Sequence, residues 1–193
     1  MANKIARIAL WVVIVIVLLP IIALIAYKPS RVFMPWLVGV ECPTERICID
    51  DKTRLEQAKS LYESAITDIE GKIGGFSSAP KVIFCATQQC FESFGFKRAA
   101  AQTMGTVATV IAPRGWRDYY VKHEFIHQWQ ADHIGSLTML FVPEWLTEGM
   151  AYYLSDDPRS KLSEPWQSYR AKFAAWYEKA DKKHFVAQIK AEI

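Results

Sequence analysis

His123-Glu124-Phe125-Ile126-His127, followed by Pro143-Glu-Trp145-Leu-Thr-Glu148-Gly-Met-Ala-Tyr-Tyr-Leu154, decides how this chain folds. Residues 117–133 and 143–154 each carry a helical pattern, so two helices are expected with a reversal of direction between them. Val121, Phe125 and Trp129 recur every four residues and form the apolar stripe of the first helix. His123 and His127 are also four apart, on another face, where two imidazoles can bind one zinc ion. Glu124 lies beside them and can polarise a zinc-bound water and carry its proton.

A catalytic zinc needs a third protein ligand and an open fourth position. His133 projects from the far side of a continuous helix, and His184 lies in the C-terminal tail. Glu148 is the better candidate. In mid-helix beside Trp145, Leu146, Met150 and Ala151, a carboxylate is costly to bury unless paired or metal-bound. Glu144, one turn earlier on the same face, is its rival, although its place in the first turn suits helix capping. Gly149 and Ala151 would let this helix pack closely on the first. Tyr152, four residues after Glu148, is a candidate oxyanion donor, with plain packing as the alternative. Asp118, Asp132 and Asp156 are available as acceptors for the ligand imidazoles, and the sequence does not choose among them.

The two-part motif over residues 119–154 resembles the gluzincin metallopeptidases, in particular the small peptidase MA-like domains. Their pattern is a histidine-pair helix, a loop, then Trp-Leu-x-Glu-Gly-x-Ala. The resemblance implies zinc held by His123, His127 and Glu148, with Glu124 as general base and acid in peptide-bond hydrolysis. It also implies that the strand before the active-site helix, at 106–112, is a sheet edge that holds an extended peptide or protein substrate. The chain lacks the separate N-terminal substrate domain of the large gluzincins.

Working outward, residues 52–72 carry an apolar stripe of Leu55, Ala58, Leu61, Tyr62, Ala65, Ile66 and Ile69, which predicts a helix. Residues 81–86 and 106–112 read as strands. Residues 166–179 read as a third helix behind the motif, and 91–101 fit no single pattern. The fold class expected is α+β: a small zincin-like domain at 50–193, with a mixed sheet packed on the active-site helix and a helical C-terminal part.

Residues 8–27 are uncharged, the length of helix that spans a bilayer, with Trp11 and Tyr27 near the ends. A membrane anchor at 1–28 and a stalk at 29–49, broken by Pro29, Pro35 and Pro43, are therefore expected. The 23 basic and 20 acidic residues of the 193 give +3. Without Lys4 and Arg7 the remainder is 21 to 20, which excludes a nucleic-acid partner on charge. Cys42 with Cys48, and Cys85 with Cys90, are local pairs that suggest disulfides and an oxidising compartment. Together with the anchor they suggest a single-pass protein with a cytoplasmic N-terminus and an extracytoplasmic catalytic domain, as in a bacterial periplasm. The rival readings are a catalytically silent zincin-fold binding or assembly module tethered to the membrane, and a small membrane structural protein whose motif is accidental.

Overall fold

A computed structural model describes residues 2–193, without the side chains of residues 2, 3, 5, 20, 23–25 and 182. Helix α1 spans Ala2–Ala26. Strand β1, Ile47–Ile49, is followed by α2, Leu55–Ile73, and β2, Val82–Phe84. Next come α3, Gln88–Ser93, then β3, Ala101–Met104, and β4, Ala108–Ile111. Helices α4, Asp118–Ile134, α5, Glu144–Leu154, α6, Trp166–Tyr177, and α7, Phe185–Ala191, complete the chain.

The sheet is mixed, in the order β1-β2-β4-β3. β1, β2 and β4 run parallel, and β3 pairs antiparallel with β4. Side chains alternate across it. Ile47, Ile49, Val82, Phe84 and Ile111 face one core, shared with α2 and α4. Cys48, Ile83, Ala108 and Val110 face a second, shared with Val32, Val40, Phe91 and Phe94. The expected α+β class with a small mixed sheet is thus present. The stripe on α4 behaves as read: Val121, Phe125 and Trp129 are buried.

Three expectations are corrected. Among the described residues no helix is long and apolar enough to cross a membrane. The transmembrane helix at 8–27 and the single-pass localisation built on it therefore fall. What remains is the pair of disulfides, Cys42–Cys48 and Cys85–Cys90, which point to an oxidising compartment. Second, residues 29–49 do not form a free stalk. Val32 and Val40 are buried, the Glu41 N–H donates to the Ile49 carbonyl, and 47–49 is a sheet strand. Third, 106–112 does not form the sheet edge. β4 lies between β2 and β3, because Ala101–Met104, for which no strand was expected, pair with it through a hairpin turn at Gly105 (φ 52°) and cover its outer side. The edge nearest the active-site helix is β3.

The small residue in the motif also has a different partner. Gly149 packs against α6, not α4: a Cβ there would lie 2.4 Å from the Tyr169 carbonyl oxygen and 2.8 Å from Phe173 Cβ. Neither neighbour is a flexible side-chain tip. Gly149→Ala is expected to cost about 3 kcal/mol or more, since overpacking that moves backbone lies at the high end of such costs. Thermal melts should show a drop of roughly 6–12 °C for a chain of this size. An unchanged melting temperature would mean that α5 and α6 are not in this contact.

Candidate metal centre

Helix α4 positions His123, Glu124 and His127, and α5 brings Glu148 to them across the turn closed by Gly135 (φ 101°). His123 Nε2 and His127 Nε2 are 3.2 Å apart. Glu148 Oε2 is 3.6 Å from the first, and Oε1 is 3.5 Å from the second. Four donor atoms from three residues thus converge, and this group could hold a metal ion. The spacing fits: ligands of a tetrahedral ion at 2.0–2.2 Å stand about 3.4 Å from one another. Glu144 is not part of the group; it sits in the first turn of α5 and accepts a hydrogen bond from Tyr169 Oη at 3.3 Å.

The imidazole of His127 is oriented from behind. Gln130 Nε2 donates to the Thr147 carbonyl at 2.9 Å, which leaves its Oε1 facing His127 Nδ1 at 2.9 Å. Nδ1 must therefore carry the proton, and the Nε2 lone pair is free toward Glu148. One buried amide both sets the tautomer and ties α4 to α5. The three aspartates offered by the sequence are engaged elsewhere. Asp118 pairs with Lys122 at 2.6 Å, Asp156 with Lys72 at 2.5 Å, and Asp132 accepts from Ser77 N at 2.6 Å. Gln130 carried one signal in the sequence, its place three residues after His127, where a helix stacks side chains. Gln130→Leu is expected to keep similar volume and weaken divalent-metal affinity 10–100-fold, as loss of such a partner does. Calorimetric titration of metal into the chain checks this, and wild-type affinity would remove Gln130 from the site.

Burial pushes the Glu148 carboxyl up, but His123 and His127 outweigh it and hold it below the usual carboxylate range. Glu148 is thus anionic at neutral pH. Glu124 lines a cleft of about 380 Å³ together with both histidines, Glu148 and the β3 residues Gln102 and Thr103. A polar chain fixes that strand on the helix. Gln128 Nε2 donates to Thr109 Oγ1 (2.6 Å), which meets Thr103 Oγ1 (2.7 Å), which donates to the Glu124 carbonyl (3.0 Å). A smaller hollow of about 210 Å³, also lined by His123 and Glu124, has Tyr152 and Tyr120 in its wall. The Tyr152 ring lies edge-on to His123, 4.5 Å between centroids. Burial and the Glu148 charge raise its phenol above the usual value, while Arg159 acts the other way, so it keeps its proton at neutral pH. Arg159, which the sequence did not single out, lies 5.5 Å from the Tyr120 ring and 5.8 Å from that of Tyr152. Tyr153 turns away onto Phe173 and Tyr177. His133 stacks on Trp129, and His184 pairs with Asp181, both outside the group.

No protein-family model matches the chain, and no curated protein or solved structure matches it significantly.

Proposed function

We propose that the chain is a zinc-dependent peptidase of gluzincin type, acting on an extended peptide or protein segment. The observation that carries this reading is the convergence of His123, His127 and Glu148 at 3.2–3.6 Å, with Glu124 lining the same cleft. Two imidazoles and one carboxylate suit zinc, and a cleft beside them leaves room for substrate at the fourth position. Bound there, zinc supplies Lewis acidity that polarises a carbonyl and acidifies water.

The remaining work falls to the chain's own side chains. Glu124 takes the proton of the attacking water and passes it to the leaving amine nitrogen. Tyr152 donates its O–H to the oxyanion of the tetrahedral state. β3, as the edge strand on the cleft, holds the peptide backbone by strand addition. The intact Glu124 favours hydrolysis over a silent binding module, since a module that only binds has no need of a carboxylate at that point. Elemental analysis of the purified full chain, paired with digestion of a peptide library, tests the proposal. About one zinc per chain with reproducible cleavage is expected. A chain without zinc, whose library remains intact after zinc is added, overturns it.

A further inference from the structure

The edge strand has two sides, and only one of them faces the metal group. Thr103 points toward α4, where it holds the Glu124 carbonyl. Gln102 and Met104 therefore point to the opposite face, and Met104 packs there against the second core. On that face lies a groove of about 440 Å³, walled by Tyr27, Phe33, Phe96, Met104 and Val107. It is predominantly apolar, and it is continuous with the metal cleft, because Gln102 and Thr103 line both.

The backbone between the two hollows is open. Bonded pairs alternate along an antiparallel ladder. Ala112 N donates to Ala100 O at 2.9 Å, so Gln102 with Val110 is the next bonded pair in this register. The N–H and C=O groups of Ala101 and Thr103 consequently point away from β4. The Gln102 side-chain amide reaches back to the Thr103 carbonyl at 3.4 Å, where a neighbouring strand would donate.

We infer that the substrate is an extended segment with large apolar side chains at alternate positions, which fill the Phe33/Phe96/Val107 groove while the positions between them face the metal. A strand added to β3 must alternate its side chains in this way. One set enters the cleft of His123 and Glu124, and the other enters the groove. The inference rests on the strand addition proposed above, but it can fail separately from hydrolysis.

The test uses the full chain carrying Glu124→Gln, loaded with zinc, and two fluorophore-labelled ten-residue peptides. One has Phe at every second position and the other has Asn there. Fluorescence anisotropy should give about tenfold tighter binding for the Phe peptide, the low end of what burying one such ring supplies. Phe33→Asp should abolish the preference. Its ring is 67% exposed, so the substitution disturbs no core contact. Val107→Asp, at 40% exposure, is the second variant and should act the same way. Equal binding of both peptides, binding of neither, or a preference that survives both variants overturns the groove assignment. Cleavage of a library by wild-type chain without any apolar alternation would overturn it too, while leaving the peptidase reading intact. A preference in binding with no cleavage does the reverse.

Discussion

Glu124→Gln is expected to leave the metal and the fold in place and to lower peptide hydrolysis by about 10²–10⁴-fold, the usual worth of a positioned general base. The substitution keeps the shape of the side chain, so the cleft it lines with Gln102 and Thr103 should persist. The tie from Thr103 Oγ1 is to the backbone carbonyl, and no side-chain change at this position removes it. What is lost is the ability to accept a proton, because an amide oxygen is a far weaker base than a carboxylate. Initial rates on a quenched fluorescent peptide, read beside zinc content, separate the two effects. Wild-type turnover in Glu124→Gln with full metal would show that the proton goes elsewhere.

The second large effect is a contrast between two carboxylates one turn apart on α5. Glu148→Ala removes one of the three groups proposed to hold zinc and should weaken zinc binding by well over tenfold, more than about 1.4 kcal/mol. Glu144→Ala removes an acidic group from the first turn and its contact with Tyr169, worth at most about 1 kcal/mol, and should leave zinc affinity unchanged. Competition titrations against a chelator measure both. The opposite order would transfer the ligand role to Glu144 and contradict the geometry at His123 and His127.

The centre was legible in the sequence because its parts are local. Four-residue spacing on one helix places His123 with His127, and the apolar company of Glu148 marks a carboxylate that needs a partner. The acceptor behind His127 was not legible, since three aspartates looked better than a glutamine, and only the packing of α4 on α5 brings the Thr147 carbonyl to Gln130. The sheet was half legible. Val82 and Val110 announce strands by composition, but β1 is three residues long beside a disulfide, and β3 is Ala-Gln-Thr-Met, with no β-branched pattern beyond Thr103. Pairing with β4 makes β3 a strand, and that is a long-range fact. The same omission put the sheet edge on the wrong segment. Near the N-terminus the stretch taken for a stalk proved to hold Val32 and Val40 in the core, because its prolines hid a buried pair of valines.

The disulfides also bear on the metal. Thiolate sulfur is among the strongest zinc donors, and a reduced chain would present four such groups alongside a site of two nitrogens and one carboxylate. Cys48 and Cys85 lie on the face of the sheet away from His123, and each is joined to a cysteine near it in sequence. Oxidation therefore removes the thiolate donors from the molecule itself, and among the described residues one group that could hold a metal ion remains. Disulfide formation would thus act as a chemical filter on metal occupancy, leaving two imidazoles and one carboxylate as the donor set among the described residues.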